Sequence, residues 1–274
     1  MKDGECIEFL QWCLPRLRLR WPGFRKVHKQ VCKRLSRRIK ELDLSGLSGY
    51  KGYLEEHSGE WRNLDAICQI SISRFYRDRG VFDALRSRIL PALADNLRAC
   101  GGKELLCWSA GCCSGEEPYT LQIIWRASVI PAIHFDLRLR IIATDTNQNL
   151  LERAQEGRYL KSSLRDLPEE FVQQAFERPG KYYMIRRPFT ENIVFVRQDI
   201  REHIPEERFH LILCRNLVFT YFDDALQRGI FEKISEKLIP GGFLVIGIHE
   251  SLPRIAQDFV SYEKIPGIYQ KARS

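Results

Sequence analysis

The sequence predicts an α/β domain with a doubly wound parallel sheet, preceded by an all-helical domain. Three observations predict this fold class. The first hundred residues contain helical segments and no run that resembles a strand. After Gly101 and Gly102, short apolar runs alternate with helical segments along the chain. The apolar runs are continuous, as expected for strands that are covered on both faces of a parallel sheet.

The helices of the first hundred residues are predicted from chain breaks and apolar periodicity. Pro15, a Trp-Pro-Gly break at 21–23 and a Ser-Gly loop at 45–49 separate the segments. In the second segment, apolar residues recur at every fourth position, namely at Val27, Val31, Leu35 and Ile39. The predicted helices are 5–14, 25–42, 50–56, 60–68 and 82–98. Pro91 is expected to kink the last of them.

The strands and helices of the α/β part follow in alternation. The apolar runs predict strands at 104–110, 139–145, 192–199, 209–216 and 243–248. Helices are predicted between them at 118–128, 147–155 and 223–238. The Pro-Gly-Gly sequence at 240–242 is expected to end the last helix.

Composition excludes several classes of protein. Hydrophobic residues make up 44% of the chain and charged residues 28%, which is typical of a globular protein and not of a disordered one. No apolar run is long enough to cross a membrane, and the N-terminus does not resemble a secretion signal. The nine cysteines are scattered without metal-ligand spacing. We therefore expect free thiols, a cytoplasmic protein and no metal site.

The positive charge is concentrated near the N-terminus. The net charge is +8, and the stretch between Phe9 and Lys40 contains eleven Lys and Arg residues and no Asp or Glu. The basic helix at 25–40 therefore predicts an acidic partner, either a protein surface or nucleic acid. A solvated helix face with no partner is the alternative. Nucleic acid is disfavoured because no aromatic residues are interleaved for base stacking.

Candidate site residues lie where the predicted strands end. Ligands of open parallel sheets bind at the carboxyl ends of the strands. The first strand ends in Gly111 and the turn that leads to Glu117, within the sequence WSAGCCSGEEPYT. The later strands end in Asp145, in Asp199, and in Arg215 with Asn216.

The acidic turn predicts a ligand without phosphate groups. The pattern G-x-G-x-x-G is absent, and Glu116 and Glu117 at the start of a helix would repel a pyrophosphate. A positively charged nucleoside such as S-adenosylmethionine fits better, with Asp145 accepting hydrogen bonds from the ribose. The alternative is that the two glutamates only favour the start of the helix.

Several long motifs resemble one family. The turn sequence WSAGCCSGEEPYTL is similar to that of the chemotaxis receptor methyltransferases of the CheR type, which use S-adenosylmethionine to esterify glutamate side chains. SISRFYRD, LILCRNLVFTYFD and PGGFLVIGIHESL match in the same order. The resemblance implies a Rossmann-like class I methyltransferase domain at 81–274 after a helical domain with a basic helix and a linker at 1–80. A small β-hairpin subdomain is implied at 178–192.

The resemblance also implies roles for individual residues. Arg77 and Tyr221 are expected near the transferred methyl group. The cofactor contacts that it implies are Ser71, Ser73, Arg77, Gly111, Glu117, Asp145, Asp199, Ile200, Arg215 and Asn216. The acceptor implied is an acidic protein such as a chemoreceptor helix, docked by the basic helix 25–40, and a monomeric enzyme is expected.

The sequence departs from the family pattern at four positions. Ser71 and Ser73 replace an asparagine and a threonine, and His249 replaces a serine. One extra residue separates Asn216 from Tyr221, which affects the placement of that tyrosine. Two alternatives therefore stay open: a methyltransferase of the same fold for a small molecule or nucleic acid, and a non-catalytic module that binds S-adenosylmethionine.

Overall fold

The computed structural model describes residues 2–273 and divides the chain into two compact units. The first unit comprises residues up to 71 together with 220–227, and the second comprises 72–219 and 228–273. The sequence had placed the boundary after residue 80. It gave no indication that 220–227 belongs to the first unit.

The first unit is helical, as predicted. Its helices are α1 (Asp3–Cys13), α2 (Trp21–Phe24), α3 (His28–Glu41), α4 (Leu47–Glu56) and α5 (Glu60–Cys68). In α3 the residues Val31, Leu35 and Ile39 are buried. The four-residue apolar spacing therefore becomes the face of α3 that packs into the unit.

One pair of cysteines corrects the expectation of free thiols. Cys6 in α1 and Cys32 in α3 form a disulfide, with their Cα atoms 6.1 Å apart. Folding places the two helices side by side, and no local sequence signal marks this pairing across 26 residues. The other seven cysteines are free thiols.

The second unit contains a seven-stranded sheet with the order β6-β2-β1-β7-β8-β10-β9. Strands of this sheet are β1 (Glu104–Ala110), β2 (Arg138–Asp145), β6 (Ile193–Arg197), β7 (Phe209–Leu213), β8 (Leu238–Val245), β9 (Phe259–Ser261) and β10 (Ile268–Lys271). The central strand β1 pairs in parallel with β2 and β7. Strand β10 pairs in the antiparallel direction with both β8 and β9. The five predicted strands are all present, whereas β9 and β10 were not predicted.

Helices accompany the sheet, as expected for a doubly wound α/β fold. The helices from here to the C-terminus are α6 (Arg79–Ala84), α7 (Leu90–Ala99), α8 (Glu116–Ile124), α9 (Gln148–Glu156), α10 (Glu169–Ala175), α11 (Val218–Tyr221) and α12 (Asp224–Lys237). The end of α11 and the start of α12 lie within 220–227 and so belong to the first unit. A π-helical segment, Leu85–Ile89, joins α6 to α7 directly before Pro91. The sequence predicted a kink at Pro91, because a proline ring disturbs the preceding helical turn.

A second, three-stranded sheet has the order β3-β5-β4. Its strands are β3 (Arg158–Leu160), β4 (Phe176–Glu177) and β5 (Tyr182–Ile185). The hairpin of β4 and β5 overlaps the predicted 178–192 hairpin, but the small sheet recruits β3 from further upstream. Among residues 2–273, no helix is long and apolar enough to cross a membrane.

Candidate active site

The turn after β1 requires glycine at two positions. Gly111 has φ +72° and Gly115 has φ +88°, in the left-handed region that favours glycine. A Cβ atom on Gly115 would lie 2.9 Å from the side chains of Ala154 and Tyr119. The backbone N–H of Gly111 donates to the carbonyl of Thr144 at 2.8 Å, which ties the turn to β2. The glycine conformations and this backbone hydrogen bond therefore define the shape of the turn.

Asp145 at the end of β2 faces this turn. Its carboxylate accepts hydrogen bonds from the backbone N–H of Cys113 and of Asn147, each at 2.9 Å. Burial raises the pKa of Asp145, and these backbone hydrogen bonds oppose the rise. A carboxylate has about four acceptor positions. Asp145 is thus held in place while keeping acceptor capacity for further donors.

The adjacent glutamates at the start of α8 lie in different surroundings. Glu117 accepts from Ser109 Oγ at 2.8 Å and from Arg215 at 3.0 Å, and its side chain is 13% exposed. Glu116 is buried, accepts from Ser114 Oγ at 2.9 Å, and has one carboxyl oxygen without a hydrogen-bond partner. Burial raises the pKa of Glu116. Of the two glutamates, Glu117 is the one that forms an ion pair and keeps its carboxylate partly exposed, as contact with a cationic ligand requires.

The segment that carries Arg77 has an unusual backbone. Tyr76 and Asp78, on either side of Arg77, have φ values of 58° and 62°. Left-handed backbone at such residues is costly and is concentrated at functional sites. The Arg77 side chain donates to the carbonyl of Ile72 at 2.8 Å and is partly exposed. Arg77 thus lies on a segment with a costly backbone conformation, which contacts from other residues must stabilise.

Arg215, directly after β7, provides two of those contacts. Its guanidinium donates to the carbonyl of Arg77 at 2.9 Å and to the carboxylate of Asp78 at 2.7 Å. The side chain is only 3% exposed, and it also lies over the ring of Phe82. The sequence placed Arg215 among the cofactor contacts; the structure shows it paired with two carboxylates.

Asn216 follows with a left-handed backbone, φ 54°. Its N–H donates to the Glu250 carboxylate at 3.0 Å, and the same carboxylate accepts from the N–H of Gly247. Glu250 therefore joins the loops that follow β7 and β8. The sequence did not indicate this role for Glu250.

Asp199 and Ile200 lie in the loop after β6. The Asp199 carboxylate accepts from the Arg201 side chain, with the shorter contact at 2.6 Å. Burial acts to raise the pKa of Asp199, but hydrogen bonds from Arg201 prevail and lower it. Ile200 is 6% exposed. A charged acceptor and an apolar side chain thus follow this strand, which suits an adenine ring.

The remaining predicted residues divide between the two units. Ser73 lies beside Glu116 in the second unit, where its hydroxyl favours the charged form of that carboxyl group and so opposes the raised pKa. Ser71 and Tyr221 belong to the first unit. Within that unit, the ring of Tyr221 packs edge-on against Phe24, with ring centroids 5.1 Å apart.

Comparison with known proteins decides the family. Residues 71–266 match the family model described as "CheR methyltransferase, SAM binding domain". The chain belongs to the CheR methyltransferase family. This CheR methyltransferase is 36% identical over 187 residues to a chemotaxis protein methyltransferase of Listeria monocytogenes, covering 68% of each chain. It is 29% identical over 249 residues to the Escherichia coli K12 protein of the same name, covering 85% of this chain and 80% of that one.

Solved structures give a more distant comparison for this CheR methyltransferase. The N-methyltransferase NodS from Bradyrhizobium japonicum, solved with S-adenosyl-L-homocysteine, aligns with a TM-score of 0.32 and 17% identity, covering 59% of this chain and 61% of that one. That likeness is too slight to carry an argument. The family match makes the chain an S-adenosylmethionine-dependent methyltransferase. The acidic, phosphate-repelling turn of Glu117 and Asp145 fits this cofactor.

Besides Glu250, two further site residues were missed by sequence reasoning. Ser109, the second-last residue of β1, orients Glu117, and Asp78 shares Arg215 with Glu117. Asp78 stands next to Arg77 in the motif SRFYRD, so its proximity to a candidate residue was an available signal. Ser109 is a polar residue inside the apolar part of β1, and a fully buried hydroxyl needs a partner.

Proposed function

We propose that this CheR methyltransferase transfers a methyl group to glutamate carboxylates of an acidic, chemoreceptor-like protein. The observation that carries the proposal is the ion-paired, partly exposed Glu117 at a turn whose backbone also contacts Asp145, in a chain of this family. The relatives named chemotaxis protein methyltransferase support the choice of acceptor.

The chemistry needs little from the protein beyond placement. S-adenosylmethionine supplies an electrophilic methyl group on a sulfonium. A glutamate carboxylate is already ionised at neutral pH, so no general base is required. The protein must align the attacking oxygen with the methyl group and the sulfur, and it must exclude water. Because both charges disappear during transfer, a tight ion pair to the acceptor carboxylate would slow the reaction.

We assign the predicted residues to roles on this basis. Glu117 receives the ammonium group of the cofactor, Asp145 the ribose, and Asp199 with Ile200 the adenine. Arg77 and Tyr221 orient the acceptor, and Ser71 and Ser73 contact the amino-acid end of the cofactor. Gly111 and Asn216 complete the site through their backbone. Arg215 acts through its neighbours, since both terminal nitrogens of its guanidinium are already paired with carboxylates.

Docking of the acceptor is assigned to one stripe of α3. The side chains of Lys29, Lys33, Arg37 and Lys40 are exposed, and none of them forms an ion pair within residues 2–273. They lie opposite the buried face of α3. Arg34 and Arg38 face other structure instead: Arg34 donates to two carbonyls at the end of α5, and Arg38 pairs with the buried Glu60.

A matched pair of double variants tests this docking surface. Lys33→Glu/Arg37→Glu should lower kcat/KM for the protein acceptor by more than about tenfold and leave the affinity for S-adenosylhomocysteine unchanged, since rates of charged encounter depend on such patches. Arg228→Glu/Lys233→Glu, an equal charge change at exposed positions of α12, is the control. Equal activity of the two variants on the protein acceptor would rule out the stripe as the docking surface.

Product chemistry tests the reaction itself. The enzyme is incubated with methyl-labelled S-adenosylmethionine and an extract rich in chemoreceptors, and labelled bands are then treated with mild alkali. Glutamate methyl esters should release labelled methanol. A label that resists alkali would point to a different acceptor atom. Binding of S-adenosylhomocysteine without any transfer would indicate a non-catalytic module.

A further inference from the structure

The two acids on either side of Arg215 form one charged cluster. Arg215 donates to Glu117 at 3.0 Å through one terminal nitrogen and to Asp78 at 2.7 Å through the other. Two carboxylates thus share one guanidinium, so the cluster has a formal charge of −1. The Arg215 side chain is 3% exposed, whereas those of Glu117 and Asp78 are 13% and 20% exposed.

The extra carboxylate changes what a cationic ligand meets at Glu117. A pair made of Glu117 and a buried arginine alone would have no net charge. Such a pair would attract an ammonium group only as a dipole, which is weaker than attraction by a net negative charge. Because Asp78 also pairs with Arg215, the cluster of Glu117, Asp78 and Arg215 keeps one net negative charge. In the partly buried surroundings of this cluster, such a charge is weakly screened and acts strongly on a ligand.

Asp78 also has a backbone role in the same segment. Its φ of 62° and that of Tyr76, 58°, are held by specific contacts. The N–H of Tyr76 donates to Thr120 Oγ1 at 3.2 Å, and its hydroxyl donates to Asp83 at 2.8 Å. The hydrogen bond from Arg215 to the carbonyl of Arg77 lies between these left-handed residues. Arg215 thus links Glu117 to the segment that carries Arg77.

We propose that Asp78 is a positioning residue of the cofactor site, which shares the Arg215 guanidinium with Glu117 and so keeps a net negative charge for the ammonium group of the cofactor. The proposal rests on the assignment of Glu117 under the proposed function. It gives Asp78 an electrostatic role, and it places Arg215 behind the site instead of in contact with the cofactor.

Titration calorimetry with two ligands tests the charge. The ligands are S-adenosylhomocysteine and its analogue without the α-amino group. For Asp78→Asn, affinity for S-adenosylhomocysteine should fall about tenfold, while affinity for the deaminated analogue should stay within about twofold. Asparagine tolerates the left-handed backbone of position 78, and Asp78→Gly provides a second variant with the same backbone freedom.

Asp166→Asn is the control. Asp166 pairs with Arg74 at 3.3 Å in the same unit, so its loss removes an ion pair from the neighbourhood without touching Arg215. This variant should bind both ligands as the wild type does. Equal loss of both ligands, or no loss of either, in Asp78→Asn and Asp78→Gly would overturn the role of Asp78. Failure of the wild type to bind S-adenosylhomocysteine would overturn the proposed function as well.

Discussion

Neighbouring residues of one type can have opposite physical roles, and Glu116 and Glu117 are such a pair. Glu117 is held by Ser109 and Arg215 with its carboxylate partly exposed. Glu116 is buried with one oxygen lacking a partner, and its pKa is raised by that burial. The sequence alone showed two equivalent acids at the start of a helix. The two carboxyl groups differ because their side chains point in different directions and so meet different partners.

We expect Glu117→Gln to weaken binding of S-adenosylhomocysteine by about 10- to 100-fold, because a hydrogen bond to a charged group contributes about 1.5–3 kcal/mol. Glu116→Gln should change this affinity by less than about threefold. Titration calorimetry on both variants checks the contrast. Similar losses in the two variants would mean that both glutamates meet the ligand.

Glycine positions provide a second prediction at the scale of single residues. Gly115→Ala should lower the free energy of unfolding by about 2 kcal/mol or more, because φ is +88° and the new Cβ would lie 2.9 Å from Ala154 and Tyr119. Gly229→Ala is the matched control in α12, where nothing lies within 4 Å. It should raise stability by about 0.5–1 kcal/mol. Urea unfolding measures both; a stable Gly115→Ala would contradict the strained turn.

At the scale of elements, α3 has two kinds of basic residue. Arg38 donates to the carboxylate of Glu60, and Tyr50 donates to the same group at 2.9 Å. Glu60 is 5% exposed. This network joins α3, α4 and α5, so the charge of Arg38 belongs to the interior of the first unit. The sequence showed only a uniform basic segment.

Acid should therefore destabilise this network. Hydrogen bonding to Arg38 lowers the pKa of Glu60 to about 2, against a burial effect that acts to raise it. A carboxyl group with a lowered pKa stabilises the fold above its unfolded pKa, about 4.3, and that contribution is lost as the pH falls toward 2. The loss should be on the order of 2–3 kcal/mol.

Hydrogen exchange of α3 and α5 amides between pH 5 and 2.5, corrected for intrinsic rates, measures this effect. In Glu60→Gln the acid-dependent loss of stability should be absent. This variant should be less stable at every pH, because Arg38 loses its buried carboxylate partner. A wild-type protein whose helical unit keeps constant stability over that range would contradict the role of Glu60.

The elements that were predicted are those with a strong local signal. Strands β1 and β2 are continuous apolar runs, and both were found where the sequence placed them. Strands β3 and β4 have three and two residues, too few for a period to show. The Cys6–Cys32 disulfide and the contact of Asp78 with Arg215, 137 residues apart, are set by tertiary packing and leave no local pattern.

At the scale of the whole molecule, a net charge of +8 shapes encounters with acidic partners. We expect kcat/KM for an acidic protein acceptor to fall several-fold as salt rises from about 50 to 300 mM, since exposed charges are screened over this range. Binding of S-adenosylhomocysteine should change much less, because its site is partly buried. Steady-state kinetics and calorimetry at matched salt test this. Equal salt dependence of both would contradict an electrostatic encounter.

The two kinds of basic residue on α3 have a practical consequence for redesign. Lys29, Lys33 and Arg37 are exposed, whereas Arg34 and Arg38 hold the helix in its own unit. A protein engineer who wishes to retarget the enzyme toward another acceptor can randomise these three exposed positions, which lie one helical turn apart, at small risk to folding. Libraries that also vary the two interior arginines would mostly return misfolded clones.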